Sequence, residues 1–348
     1  SPSPQKETER CSITVSTSQH REMIDDLLNL FDIKVDHDLN IIKANQSLVD
    51  ISTRALSGLD PLLKQYQPNL VLIQGDTTTA FISALAAFYH KIPAGHVEAG
   101  LRSYNKMHPY PEEINRKLIS SVTDLHFAPT LGNAENLYKE GVDPSSIYIT
   151  GNTVIDSLLY IAARNRNTLD KYLPIERVDS HRLILVTAHR RENWGGPLEN
   201  LCLALKDLRD NFPDIPIAYP VHLNPNVRKT VFEILANQER IHLLDPLPYE
   251  PFVEAMAKSY MIITDSGGIQ EEGPSLKKPI LVFRKVTERP EGLSTGGVKL
   301  LGLEKENVFR EASRLLEDPE AYQSMIANHN PYGDGFAAER IVQAILHY

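Results

Sequence analysis

Met261-Ile262-Ile263-Thr264-Asp265-Ser266-Gly267-Gly268-Ile269-Gln270-Glu271-Glu272 is a short apolar run that passes through small residues into helix-compatible ones. A β-branched run of this length reads as a strand buried on both faces. Serine and glycine directly after it let the start of a helix approach a phosphate closely. Glu272 lies one turn beyond Gly268. Helical side chains lean toward the helix N-terminus, so the Glu272 carboxylate is expected to point back over the turn, where it can accept both hydroxyls of a ribose. Its neighbour Glu271 reads as surface charge on the helix. The segment is not the dinucleotide fingerprint, since the chain contains no Gly-x-Gly-x-x-Gly, and no nicotinamide cofactor is indicated.

The same alternation extends in both directions. Strand candidates are Ser12–Ser16, Leu70–Gln74, Ala94–Val97, Leu125–Ala128 and Ile147–Thr150. A second series runs Leu183–Thr187, Ile215–Pro220, Ile241–Leu244, Met261–Thr264 and Ile280–Phe283. Segments with helical periodicity separate them. In Gln46–Tyr66 the residues Leu48, Ile51, Ala55, Leu59, Leu62 and Leu63 fall on one stripe. Strand–helix alternation with buried strands predicts an α/β fold of two doubly wound parallel-sheet domains with an intervening cleft. The charged stretch Arg164–His181, which contains Pro174, sets the expected boundary: residues 1–165 in the first domain and 166–335 in the second. A last helix at 336–348 is expected to pack back on the first domain. In such sheets ligands sit at the carboxyl ends of the strands, so the informative residues should follow strands.

A chain of 348 residues has room for two cores. Its formal charge of −9 gives no general attraction to nucleic acid or to an anionic membrane, although a few placed cations suffice for a phosphorylated ligand. No apolar run approaches the length of a membrane span. Cys11 and Cys202 lack ligand-like spacing and read as two buried thiols, with neither a disulfide framework nor a zinc site. Ser1–Arg10 is polar and of mixed charge, unlike a signal peptide, which makes the cytoplasm the expected location.

The strand ends carry chemistry, each with a plainer alternative. Gly75-Asp76-Thr77-Thr78-Thr79 sets a carboxylate and hydroxyls before a helix; plain helix capping would also explain them. In His96-Val97-Glu98-Ala99-Gly100-Leu101-Arg102-Ser103, Glu98 ends an apolar strand and must be either paired, for example with Arg102, or useful. Pro109-Tyr110-Pro111-Glu112-Glu113-Ile114-Asn115-Arg116 opens a helix on which Glu112, Asn115 and Arg116 share a face. At least one of Glu112 and Glu113 serves as favourable charge at the helix start. His189 in Val186–Asn193 can titrate near neutrality, and Arg190 and Arg191 are natural diphosphate partners. Arg289 in Thr287-Glu288-Arg289-Pro290-Glu291 can complete a cationic clamp or anchor its loop through a salt bridge. His222, just past the strand ending at Pro220, can line the cleft, although lone histidines are more often structural.

The stretches QHREM, GDTTT, HVEAGLRS, PYPEEINR, ITGNTVID, VTAHRREN, TDSGGIQEE and TERPE, in this order and spacing from about Ser12 to the C-terminus, resemble the non-hydrolysing UDP-N-acetylglucosamine 2-epimerase family. The resemblance implies the two-domain Rossmann-like (GT-B-like) arrangement shared with many nucleotide-sugar glycosyltransferases. It places catalytic acids on Asp76, Glu98 and Glu112, with His189 beside the diphosphate. Ser266, Gly267 and Gly268 match phosphate-binding positions and Glu272 the ribose-binding one. Phe252 matches a position near uracil, and Arg116 and Arg289 positions in the cleft. The implied activity is reversible epimerisation of UDP-N-acetylglucosamine to UDP-N-acetylmannosamine, without cofactor or metal, in a homodimer.

The sequence departs from the family twice. Its usual opening strand and Gly-Thr-Arg-Pro-Glu-Ala loop, which contact the ligand in the family, have no counterpart before Cys11, so the expectation is either a fragment or a site that has lost those contacts. Asn45 stands where some members use an arginine to bind an activating second UDP-N-acetylglucosamine. Competing readings are a hydrolysing epimerase that releases free N-acetylmannosamine, a glycosyltransferase, and a non-catalytic UDP-sugar-binding protein. The three carboxylates argue against the glycosyltransferase.

Overall fold

The structure is a computed structural model and describes residues 11–17, 21–41, 43, 46–164, 166–173 and 182–348, without the side chains of 21–24. The opening residues 1–10, Asn45, part of the QHREM stretch and Pro174 therefore lie outside the described residues. The chain divides into two compact units, Ser1–Phe127 with Gly132–Ile147 and Ala128–Leu131 with Tyr148–Tyr348.

In the first unit β1 (Val15–Ser16) pairs in parallel with β2 (His37–Asp38). A second parallel set joins β3 (Val71–Gln74), β4 (Ala94–Val97) and β5 (Leu125–Ala128), and β6 (Ile147–Ile149) follows. All four residues of β4 and of β5 are buried, as expected for strands covered on both faces. Gly95 is required there: a Cβ would come within 3.0 Å of the Phe127 ring and 3.2 Å of Leu72. The helix Leu48–Tyr66 starts at Ser47, whose side chain accepts from Asp50 N while Asp50 accepts from Ser47 N, a reciprocal capping box. It buries Ile51, Ala55, Leu59 and Leu63, four residues apart on one face. Leu48, expected on that stripe, is exposed because it begins the helix at the cap. The helix Thr78–Tyr89 is dense in alanine, and its Ile82 packs with Ile51 and Ala55.

The second unit is one six-stranded parallel sheet. Its strands are β7 (Ile184–Thr187), β8 (Ile217–Pro220), β9 (Ile241–Leu244), β10 (Met261–Thr264), β11 (Ile280–Val282) and β12 (Val298–Leu300). The spatial order β12-β11-β10-β7-β8-β9 is the doubly wound order, with the reversal between β7 and β10. In sheets of this order ligands bind outside the carboxyl ends of the two strands at that reversal. Thr187 and Thr264 face each other there, their hydroxyls 2.7 Å apart. The core around the sheet includes Ile184, Val186, Leu205, Tyr219, Ile263, Phe283 and Leu315.

Helix Thr153–Arg164 and the closing helix Ala337–His347 pack together within the second unit. Asp156 is the reason: its two oxygens accept the N–H groups of Ala337 and Ala338 at 3.1 and 2.8 Å, capping the later helix from the earlier one. Arg340 adds a bond to the Thr150 carbonyl at 3.0 Å. Cys202 is buried, which pushes its thiol up to about 12, whereas Cys11 is exposed and not the buried thiol expected. No helix among the described residues is long and apolar enough to cross a membrane.

Candidate active site

In the first unit the residues after β3 and β4 meet the start of helix Glu112–Val122. Arg116 links two carboxylates: its Nη2 lies 2.8 Å from Asp76 Oδ2 and its Nη1 3.3 Å from Glu113 Oε2. Asn115 fixes the same turn by donating to the Asp76 carbonyl at 2.9 Å. Behind it the buried His96 donates from Nε2 to the Gly75 carbonyl at 2.8 Å. Burial holds that imidazole down at about 4, so it is a neutral strut. Glu98 has a positive φ of 68°, a rare conformation for a residue with a side chain. Its Oε2 comes within 3.6 Å of where a Gly75 Cβ would stand. Asp76, Glu98 and the cation Arg116 are thus gathered around one turn.

The plainer alternatives for this unit resolve in detail. The helix cap after β3 is Thr77, which accepts from Ala80 N at 3.2 Å, and not Asp76. Arg102 is committed to Glu140, with Nη2 2.7 Å from Oε2. Of the adjacent glutamates, Glu113 is fully buried and accepts the N–H groups of Ser103 and Tyr104 at 2.8 and 2.9 Å. Glu112 is half-buried, and no hydrogen bond or ion pair among the described residues engages it.

In the second unit the loop after β7 and the turn after β10 meet at the sheet reversal. A Cβ on Gly267 would lie 3.4 Å from Arg190 Nη2 and 3.7 Å from Arg289 Cζ, so two guanidinium groups flank that glycine. A Cβ on Gly268 would lie 3.4 Å from Glu272 Oε1 and 3.9 Å from Ser266 Oγ. Glu272 therefore turns back over the glycines. Burial, and secondarily the neighbouring Glu271, push its carboxyl up to about 7. His189 stacks on His222 with ring centroids 5.7 Å apart. Arg191 instead lies over the Trp194 ring, 5.9 Å from its centroid, so Arg190 is the arginine that faces the turn.

A polar chain ties the glycine turn to the later loop. Gln270 donates to the Ser266 carbonyl at 3.0 Å and accepts from Thr287 Oγ1 at 2.6 Å, while Thr287 accepts from Arg289 N at 3.1 Å. Arg284 grips Glu288 with two bonds at 2.8 and 3.0 Å, which hold that carboxyl down at about 2.

These groups make a cationic, glycine-lined cradle with one carboxylate turned over the glycines, and a separate cluster of carboxylates around Arg116. The sequence profile of the family described as UDP-N-acetylglucosamine 2-epimerase matches residues 5–346. The chain belongs to that family. A Campylobacter jejuni UDP-N-acetylglucosamine 2-epimerase is 52% identical over 340 residues, covering 95% of this chain and 88% of the relative. The crystal structure of the Neisseria meningitidis UDP-GlcNAc 2-epimerase bound to UDP-GlcNAc superposes with a TM-score of 0.86 at 46% identity, covering 97% and 92% of the two chains. The Methanocaldococcus jannaschii UDP-GlcNAc 2-epimerase, solved in complex with UDP-GlcNAc and UDP, gives 0.73 at 29% identity, covering 96% and 91%.

Within this epimerase-family chain the expected site residues group unevenly. Asp76, Glu98 and Arg116 come together at one turn, with Glu112 opening the helix that carries Arg116. His189, His222, Ser266, Gly267, Gly268, Glu272 and Arg289 gather at the sheet reversal. Phe252 lies half-buried in the first turn of helix Tyr249–Lys258, where its described bond is N–H to the Pro248 carbonyl. Tyr249 in that same turn is the residue coupled to Glu272, whose charge, after burial, drives the phenol upward.

Glu271, expected as surface charge, is instead buried. It accepts from Arg289 Nε and, at 2.9 Å, from Asn152 Nδ2. Sequence reading also missed Asp265 and Asn193, which hold the His189 loop from below. An aspartate directly after the apolar run Met261–Thr264 is the signal that could have found the first of them.

Proposed function

We propose that the chain interconverts UDP-N-acetylglucosamine and UDP-N-acetylmannosamine by eliminating and re-adding UDP. The hydrogen on C2 of the sugar is not acidic, because no carbonyl adjoins C2 in the ring. A base therefore removes it only if the bond from C1 to the diphosphate oxygen breaks as well. The electron pair of the C2–H bond becomes the C1–C2 double bond, and UDP departs with the C1–O pair, leaving 2-acetamidoglucal. Protonation of C2 from the opposite face, with return of the UDP oxygen to C1, gives the epimer.

This chemistry needs carboxylic groups that can serve either face of C2, and cations to hold the leaving diphosphate. Asp76, Glu98 and Glu112 are the acid–base groups in this reading, with Arg116 orienting Asp76. Arg190, Arg289, His189 and the first-turn amides after Ser266 hold the diphosphate, since amides there have no intrahelical acceptor. Glu272 accepts from the ribose, Phe252 lies by the uracil, and His222 supports His189. The observation that carries the reading is the Glu272 carboxylate turned over Gly268, beside a glycine flanked by two guanidinium groups.

Turnover in heavy water is the test. Deuterium should appear at C2 of the product, and an oxygen label in the C1–O–P bridge should scramble into non-bridging positions. Retention of the C2 hydrogen without scrambling would refute the mechanism, and release of free N-acetylmannosamine would point to the hydrolysing alternative. A cytoplasmic location and a homodimer belong to the same proposal, the latter checked by light scattering of the purified chain.

A further inference from the structure

The loop Ala188–Trp194 is held by one buried group more than by any other. Asp265 is 0% exposed and sits directly after β10. Its carboxylate accepts His189 N at 3.1 and 3.0 Å, Arg190 N at 2.9 Å and Asn193 Nδ2 at 3.0 Å. His189 Nδ1 lies 3.3 Å from Asp265 Oδ1. A carboxylate so fully removed from water persists only when donors surround it, and here every donor comes from the loop that bears His189 and Arg190. Further bonds fix the ends of that loop: Tyr219 Oη donates to the Ala188 carbonyl at 3.3 Å, and Trp194 Nε1 to the His189 carbonyl at 3.2 Å.

An ionised carboxylate only accepts, so Asp265 Oδ1 at 3.3 Å favours a proton over a lone pair on the facing Nδ1 of His189, as an electrostatic contact beside the hydrogen bonds the carboxylate takes from the loop. We propose that Asp265 is the positioning residue of the site: it locks His189 in the Nδ1–H tautomer, leaves Nε2 as the nitrogen offered to a diphosphate, and sets the backbone from which Arg190 reaches Gly267. The proposal rests on the reading of His189 as a diphosphate ligand. A neutral Nε2 presents a lone pair and cannot donate to a phosphate oxygen, so it takes a proton from solvent as UDP gains the negative charge left by C1–O cleavage, and the imidazolium so formed donates Nε2–H to the diphosphate and is stabilised from behind by Asp265. The His189 side chain is 41% exposed, so Nε2 has access to solvent and ligand. The titratable groups that face it pull in opposite directions. Burial lowers its affinity for a proton, Asp265 raises it, His222 and Arg190 lower it, and Glu192 raises it.

The test uses the whole chain with isotope-labelled histidine and UDP as the probe. Without nucleotide, at a pH above the His189 titration, long-range proton–nitrogen NMR should show Nδ1 protonated; an Nε2–H tautomer overturns the proposal whatever any variant does. In Asp265→Asn the His189 titration should move to lower pH, and UDP affinity should fall about ten- to hundredfold, the usual loss for charge-assisted bonds. Trp194, the only tryptophan in the chain, should change its emission through its bond to the His189 carbonyl. An Asp265→Asn protein with an unchanged His189 titration and unchanged UDP affinity also overturns the proposal. If that variant does not fold, the tautomer in the unaltered protein decides. UDP that leaves the His189 Nε2 resonance unmoved would overturn the diphosphate reading and this proposal with it. That failure is distinguishable from an error about Asp265, because the tautomer is read without nucleotide.

Discussion

Replacing Glu272 by glutamine should change both how tightly UDP binds and how that binding depends on pH. Burial has pushed the Glu272 carboxyl up to about 7, and no hydrogen bond or ion pair among the described residues relieves it. A ribose diol donates two hydrogen bonds, and the carboxylate accepts them far better than the acid does. If the nucleotide binds the ionised form, its apparent affinity scales with the ionised fraction, which rises from roughly a tenth at one unit below the midpoint to roughly nine tenths at one unit above. UDP affinity should therefore strengthen by roughly tenfold between about pH 6 and pH 8. The terminal phosphate of UDP also ionises in this range, so the comparison with Glu272→Gln is what isolates the side chain. The variant should lose about 1.5–3 kcal/mol of UDP affinity at pH 8 and keep only the phosphate part of the pH profile.

Stability should move the opposite way. A carboxyl raised in the folded state binds its proton more tightly there than in the unfolded chain. Stability therefore falls as pH rises from the ordinary carboxyl range through about 7. Glu272→Gln should consequently melt higher than the parent at pH 8 and equally at pH 4. Calorimetry in buffers of different ionisation heats would count the proton released on binding near neutrality. Identical pH profiles of UDP affinity for parent and variant would refute the argument.

Three further outcomes follow from the site geometry. Asp76→Asn, Glu98→Gln and Glu112→Gln should each lower turnover by on the order of a hundredfold or more, as read by chromatography of the two UDP-sugars, because a positioned acid or base contributes about that much. Glu113→Gln should instead destabilise the fold by about 1–3 kcal/mol in urea, since it weakens a buried acceptor of two loop N–H groups and its pair with Arg116; Glu112→Gln should leave the urea midpoint nearly unchanged. Glu271→Gln should cost about 3–5 kcal/mol of stability, the usual result of leaving one member of a buried pair uncompensated, and should weaken UDP binding by releasing Arg289; an unaltered melting temperature would count against it.

Much of this architecture was legible because the strands are short, apolar and punctuated. Ala94–Val97, Leu125–Ala128, Ile241–Leu244 and Met261–Thr264 appear with the ends that periodicity predicts. β12 and β2 were not anticipated. β12 is three residues long with Lys299 at its centre, and β2 is His37–Asp38, so neither has an apolar run to announce it. Both are defined by backbone pairing with a neighbour, which composition does not encode. The packing partner of the closing helix is hidden for a related reason. The allegiance of helix Thr153–Arg164 is decided by Asp156 capping a helix 181 residues later in the chain, a contact with no local signature.

The candidate site shows the same limit at finer grain. Two adjacent glutamate pairs sit at helix ends, Glu112–Glu113 opening one helix and Glu271–Glu272 closing another, and local sequence does not show which member of each is buried. Successive helical positions point about 100° apart, so when one side chain turns into the fold its neighbour turns toward the open side of the helix. Glu113 faces inward and is consumed by Ser103, Tyr104 and Arg116, leaving Glu112 disengaged. In the second pair the order reverses: Glu271 is consumed by Asn152 and Arg289, leaving Glu272 over the glycines. The buried member is not idle in either case. Glu113 shares Arg116 with Asp76, and Glu271 both anchors Arg289 and helps hold Glu272 near neutrality. In the proposed function each pair therefore joins a structural acid to a chemical one, and the structural acid positions the cation beside it.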